Sequence, residues 1–246
     1  MAAFAQVTIT SGVDFTSGKY GEADKTDTLV IPVLLKYETG PWTAKLYLPW
    51  IRTKGTVNRE TGELGGGTDR PSKTQSGLGD LTASVFYSVL EPSKSGIGLD
   101  LGGKIKFATA DSKKCLLTTG ETDYSVQADL YTVAGDVTPF MTVGWTKKGD
   151  PVRRDANCSS LGEKIDFKNP WFAGVGFSYK LSSATSAGLS YDYRRKIVST
   201  GDPVSEATVF VSHRLAPNLK LQGYGIAGFS DNSPDWGLGA TIAYSF

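Results

Sequence analysis

Three side chains in this 246-residue chain are candidates for reactive or metal-binding chemistry: Cys115, Cys158 and His213. Two cysteines and one distant histidine cannot supply the four ligands of a structural zinc site. A hydrolase would need the histidine beside a serine and an orienting acid. The alternation of Val209, Val211 and His213 instead puts this imidazole on an apolar strand face. The sequence therefore predicts no enzyme, no catalytic residue, no metal site and no cofactor.

The two cysteines fall in two long polar connections, 109–122 and 147–169, between segments that have the pattern of β-strands. Cysteines in exposed loops form disulfides in an oxidising compartment. We therefore expect a Cys115–Cys158 bond that ties the two connections together and restricts the space between them. The alternative is a pair of free thiols.

Charged side chains recur on the polar faces of the predicted strands, where they are expected to line an interior. Seven are basic and six are acidic: Lys36, Lys45, Lys104, Lys106, Arg194, Arg214, Lys220, Asp14, Asp80, Asp100, Asp129, Asp192 and Glu206. Two interpretations remain open. The charges either pair across strands and fill the interior, or they line a narrow aqueous path of weak selectivity. In such a path Lys104, Lys106, Arg194 and Arg214 would favour anions. The formal net charge of +1 gives no indication of a nucleic-acid partner.

The last eleven residues, Trp236–Phe246, alternate between apolar and small or polar side chains up to the final residue. One face carries Ile242, Tyr244 and Phe246, and this ending resembles the C-terminal signal by which bacterial outer-membrane barrels are recognised for insertion. The resemblance implies an insertion signal at these three residues and the barrel-assembly machinery as a partner during biogenesis.

The same period-2 pattern occurs twelve times along the chain. The predicted strands are Gln6–Ser17, Asp27–Glu38, Trp42–Thr53, Gly79–Leu90, Ile97–Ala108, Asp123–Ala134, Val137–Thr146, Pro170–Lys180, Thr185–Lys196, Ser205–Leu215, Leu219–Phe229 and Trp236–Phe246. Long polar connections alternate with short turns, and no apolar run approaches the ~20 residues of a membrane helix. An even strand count with alternating loop lengths is typical of bacterial outer-membrane barrels.

The predicted fold is therefore all-β: a twelve-stranded antiparallel transmembrane β-barrel of the bacterial outer membrane, with periplasmic termini and extracellular long loops. Residues 1–5 are expected to be a residual N-terminal segment and residues 6–246 a single barrel domain. Pro32 and Pro49 remove ladder donors inside predicted strands, so we expect bulges or strand ends there.

Three segments resemble a known group of barrels: Ser76–Leu81 with its Gly-Leu-Gly-Asp, Lys36–Trp42, and Ser230–Gly237. They are similar to the outer-membrane channel family named for the meta-pathway of phenol degradation. The resemblance implies a monomeric twelve-stranded barrel that passes small molecules, hydrophobic ones among them. It implies no particular functional residue.

The expected function is a channel for passive uptake of small solutes, hydrophobic or aromatic ones included, with the loops 54–77, 109–122 and 147–169 as gates. The alternative is a closed structural or surface-interaction barrel that works through its long loops. Besides the solute, the expected partners are outer-membrane lipid and lipopolysaccharide. Basic loop side chains would meet lipopolysaccharide phosphates: Arg52, Lys54, Arg59, Arg70, Arg153 and Arg154.

Overall fold

The computed structural model describes residues 5–21, 24–55, 73–155, 158–199 and 201–246. The described residues form fifteen strands and one single-turn helix. They are β1 Gln6–Gly18, β2 Thr26–Thr39, β3 Trp42–Gly55, β4 Lys73–Leu78, β5 Thr82–Leu90, α1 Pro92–Ser95, β6 Ile97–Lys106, β7 Asp123–Thr132, β8 Val137–Lys147, β9 Val152–Arg154, β10 Ser160–Lys164, β11 Trp171–Lys180, β12 Thr185–Arg194, β13 Val204–Ala216, β14 Leu219–Gly228 and β15 Trp236–Ser245.

Thirteen of these strands form one closed antiparallel sheet. Most barrel strands pair with the preceding and following strand of the sheet, as hairpin connections favour, and β1 closes the barrel by pairing with β15. Both β4 and β5 pair with β3 and together make one barrel strand. The barrel therefore has twelve strands, which confirms the predicted fold class.

The distribution of apolar side chains is inverted relative to a soluble protein. Among the described residues, the fully buried hydrophobic side chains belong to connections, such as Leu116, Phe167 and Ile197, whereas outward strand residues such as Val209 and Leu238 are 58% and 60% exposed. A continuous exposed apolar surface is unfavourable in water. It is the surface that a barrel presents to lipid. Among the described residues, no helix is long and apolar enough to cross a membrane.

Aromatic side chains pack against one another at both ends of the barrel. The end with the short turns carries Trp42–Tyr87 and Tyr244–Phe246, with ring centroids 4.8 and 4.9 Å apart. The end with the long connections carries Phe15–Trp236 and Trp171–Tyr193, at 5.5 and 5.1 Å. Two bands of this kind correspond to the aromatic girdles of transmembrane barrels.

The predicted fourth strand, Gly79–Leu90, is wrong at its start. Lys73–Leu78 is already strand although it lies mostly in the predicted loop 54–77, and the ladder is interrupted at Gly79–Leu81. The interruption arises because β3 changes partner there, and the Gly79 amide donates to the Pro49 carbonyl at 2.8 Å. Residues 56–72 of that loop lie outside the described residues.

The expected bulge or strand end is absent at Pro32, where no register shift occurs. At Pro49, in contrast, β3 changes partner from β4 to β5, so the ladder on that side is interrupted. Pro32 and Pro49 lie directly opposite each other in a β2–β3 ladder with unbroken register. A proline lacks only its amide donor, so the neighbouring residues keep the strands aligned. Two further features were not predicted: the β9–β10 hairpin within 147–169 and the helical turn α1 within the 91–96 turn.

Candidate functional site: the barrel lumen

A cavity of about 910 Å³ occupies the lumen toward the long-connection end. Its walls come mainly from the inward faces of β2, β3, β5, β6 and β7, with single residues of β8, β12 and β13, and connection residues such as Leu117, Ile197 and Asn232 border it. A second cavity of about 390 Å³ adjoins it and shares Leu34 and Tyr47. The two cavities adjoin inside the barrel, and residues of the long connections border the larger one.

The cavities reach part of the predicted interior set of charged residues. Lys45, Asp80, Lys104, Lys106 and Arg194 line the larger cavity, and Asp14 lines the smaller one. The other seven border neither cavity: Lys36, Asp100, Asp129, Asp192, Glu206, Arg214 and Lys220. The role of the whole set as a solute path stays a prediction.

Like charges face one another on the inward side of the barrel. The residues directly opposite on neighbouring strands are Lys36–Lys45, Asp100–Asp129, Asp192–Glu206 and Arg214–Lys220. Like charges in this position destabilise a sheet, and a dry interior of low dielectric constant would magnify the repulsion. Among the described members of the thirteen, Lys36, Asp80 and Lys106 are the ones in ion pairs. The arrangement favours a hydrated lumen over a filled one.

Four charged side chains form a linked network at the rim of the larger cavity. The Lys106 amino group lies 3.4 Å from Asp80 and 3.0 Å from Asp123, and the Lys148 amino group lies 3.0 Å from Asp123. Both carboxylates are buried, and each gains backbone donors from a connection. The network fastens the connections after β6 and β8 to the barrel wall.

Asp80 holds the connection after β6 most directly. Its carboxylate accepts hydrogen bonds from the Thr118 hydroxyl at 2.6 Å and from the Thr109 and Ala110 amides at 3.1 and 3.0 Å. The break between β4 and β5 is what positions this side chain beneath the connection. Sequence reasoning placed Asp80 on a strand and missed this role, although Gly79 beside it was a signal for irregular backbone.

The predicted disulfide is confirmed: Cys115 and Cys158 are bonded, with their Cα atoms 5.4 Å apart. Gln75 of β4 contacts both sides of the bond. Its side-chain carbonyl oxygen accepts a hydrogen bond from the Leu116 backbone amide at 2.9 Å, and its side-chain amide nitrogen lies 3.3 Å from the Cys158 sulfur. The disulfide thus joins two connections that are also attached to the barrel wall.

Replacing both cysteines with serine should lower the free energy of unfolding by about 2–4 kcal/mol, because the unfolded chain loses a long-range cross-link. Urea unfolding in detergent micelles, followed by tryptophan fluorescence, measures the change. Wild-type protein treated with reductant should reproduce it. Identical midpoints for oxidised, reduced and double-serine proteins would contradict the prediction.

Inward aromatic rings lie over glycines of the neighbouring strand, a feature that the sequence analysis missed. Six cross-strand pairs share this geometry: Phe86–Gly102, Tyr131–Gly98, Phe172–Gly144, Phe140–Gly176, Phe210–Gly188 and Tyr224–Gly239. A side chain at the glycine would occupy the space of the ring. The glycines therefore let the rings lie against the wall and leave the lumen open.

One wall of the larger cavity is apolar. Leu34 lies opposite Tyr47 on adjacent strands, and Pro49 and Ile51 continue the same inward face of β3. Tyr20, in the connection after β1, also borders this cavity, and burial raises the pKa of its phenol. The lumen therefore combines an apolar surface with separated charges.

The remaining predicted residues lie outside the lumen path. His213 is exposed near a short turn, and its ring contacts the Thr185 hydroxyl at 2.9 Å. Arg154 donates to the Ser112 carbonyl at 2.9 Å, and Arg153 lies 3.7 Å from Glu163. Arg59 and Arg70 lie outside the described residues. Lipopolysaccharide contact, and the insertion signal at the C-terminus, stay predictions.

Solved structures of other barrels share this architecture. Over its whole length the chain aligns with 97% of an outer membrane channel from Pseudomonas putida F1, with a TM-score of 0.73 and 15% identity. The KdgM porin aligns with a TM-score of 0.55 and 12% identity, and the alignment covers 97% of this chain and 99% of the porin. The NanC porin aligns with a TM-score of 0.55 and 11% identity, and the alignment covers 98% of each chain. No protein-family model and no curated protein sequence matches. At these identities the similarity shows the fold: this chain is a closed antiparallel barrel of the outer-membrane type.

Proposed function

We propose that this chain is a bacterial outer-membrane channel through which small solutes diffuse passively, hydrophobic and aromatic ones among them. The observation that carries the proposal is the facing of like charges across the inward side of the barrel, because water in the interior lowers their mutual repulsion. The solved structures of similar fold support it, since their names describe an outer membrane channel and porins. A transporter, rather than an enzyme, fits both observations.

In this proposal the long connections are extracellular and both termini periplasmic, as in other barrels of this kind. A solute enters past Leu116 and Leu117, crosses the larger cavity and continues along the lumen to the end with the short turns. The connection after β6 acts as a fixed constriction, because Asp80, Gln75 and the disulfide all hold it. The chain acts as a monomer in lipid and lipopolysaccharide.

Single-channel recording in a planar bilayer tests the proposal. We expect discrete openings from the refolded protein, because solvated ions can follow the hydrated lumen. Folding is checked separately by resistance of the barrel to SDS without heating. A folded protein that stays silent would overturn the channel and favour the closed barrel that works through its loops.

A further inference from the structure

Two lysines in the larger cavity lack a carboxylate partner. Among the described residues, Lys45 and Lys104 form no ion pair, whereas Lys106 on the same wall has two. Asp129, an acid near Lys104, is engaged by the Gln127 amide at 2.8 Å and by the Thr142 hydroxyl at 2.6 Å. The lumen therefore contains two positive charges that no acidic side chain compensates directly.

The strand register brings these two lysines to one place. Lys45 lies opposite Ser84, and Ser84 lies opposite Lys104, so the three residues form one row across β3, β5 and β6. Two strand spacings separate the lysine Cα atoms by about 10 Å. Lysine side chains are long enough to reach a ligand bound over this row, and the serine hydroxyl adds a donor at the centre of the row.

Aromatic rings hold both amino groups inside the lumen. The Lys45 nitrogen lies 4.8 Å from the centroid of Phe86, and the Lys104 nitrogen lies 5.9 Å from that of Phe172. A ring face attracts a cation but does not neutralise its charge. Each ammonium group thus keeps its charge and its donors for an anion.

An apolar surface begins two residues away along β3. Tyr47 follows Lys45 on the same inward face, with Leu34 opposite it and Pro49 beyond it. The site therefore offers a cationic row beside an apolar wall, within a cavity of the size that encloses small organic ligands. An inorganic anion would use only the row, and a hydrocarbon would use only the wall.

We propose that Lys45, Ser84 and Lys104 form a binding subsite for small aromatic carboxylates. This proposal rests on the proposed channel function and names the class of solute that the channel passes. The carboxylate lies between the two ammonium groups and accepts a hydrogen bond from the Ser84 hydroxyl. The ring of the solute packs against Tyr47, Leu34 and Pro49. Charge-assisted hydrogen bonds supply most of the preference for the ionised acid.

Three probes separate the cationic row from the apolar wall. Benzoate has both a ring and a charge, acetate lacks the ring, and benzyl alcohol lacks the charge. Each is titrated into a planar bilayer that contains single channels, and the reduction of ion current gives an apparent affinity. We expect benzoate to act at the lowest concentration. In the K45Q/K104Q variant its apparent affinity should fall about tenfold or more, because two charge-assisted hydrogen bonds are lost. The effect of benzyl alcohol should be unchanged.

The matched control is K147Q/K164Q, which removes the same charge from two exposed lysines that border neither cavity. Equal responses to benzoate in wild type, control and K45Q/K104Q, with conductance intact, would overturn the subsite and leave the channel standing. Calorimetric titration of benzoate into the protein in detergent micelles needs no conduction. Absence of benzoate-specific heat there would overturn the subsite even if the barrel does not conduct.

Discussion

Replacing Asp80 with alanine should give a channel with higher mean conductance and rapid current fluctuations. The alanine removes the acceptor for the Thr118 hydroxyl and for the Thr109 and Ala110 amides, and it leaves Lys106 with Asp123 alone. Loss of a buried, hydrogen-bonded carboxylate from an ion pair should lower the free energy of unfolding by about 3–5 kcal/mol. The connection that borders the larger cavity would then move relative to the barrel wall, and the constriction would widen intermittently.

The matched control is D111A in the same connection, where the exposed carboxylate accepts a hydrogen bond from the nearby Lys113 amide at 3.0 Å and from no other group in the described part of the chain. This variant should conduct like wild type. Limited proteolysis adds a second measurement, because cleavage within 107–122 should accelerate in D80A and not in D111A. Wild-type conductance and wild-type cleavage rates in D80A would show that Asp80 does not hold the constriction.

A single methyl group at Gly102 should narrow the lumen. A Cβ atom there would overlap the ring of Phe86, which lies flat over this glycine from the neighbouring strand. No backbone atom is among the nearest contacts, so the ring is what has to move, and it can move only toward the lumen. We expect lower single-channel conductance in G102A and a loss of stability of about 1–3 kcal/mol, the usual cost of overpacking.

Gly103 provides the comparison because it is the next residue on β6 and faces outward. A Cβ atom there would meet nothing closer than the Ser125 carbonyl oxygen at 3.9 Å. G103A should therefore keep wild-type conductance, measured under the same salt and voltage. If G102A conducts like G103A, the glycines do not keep the rings against the wall.

The number of barrel strands and the faces of their regular stretches were readable from the sequence because they depend on local alternation alone. In Trp236–Ser245 every second side chain is apolar, and the structure exposes those side chains on the outside of a closed barrel. With only two cysteines in the chain, the disulfide followed once both were assigned to connections. These features need no knowledge of how distant strands meet.

Tertiary structure alone decided which interior charges meet. Asp80 was assigned to a strand, but β3 changes partner at Pro49, and the resulting break turns this carboxylate under the connection after β6. Whether Lys45 and Lys104 pair with acids depends on the register of three strands and on the rings beneath them. Alternation specifies the side of the sheet on which a residue lies, whereas contacts across strands and loops depend on register and closure, which many distant residues set together.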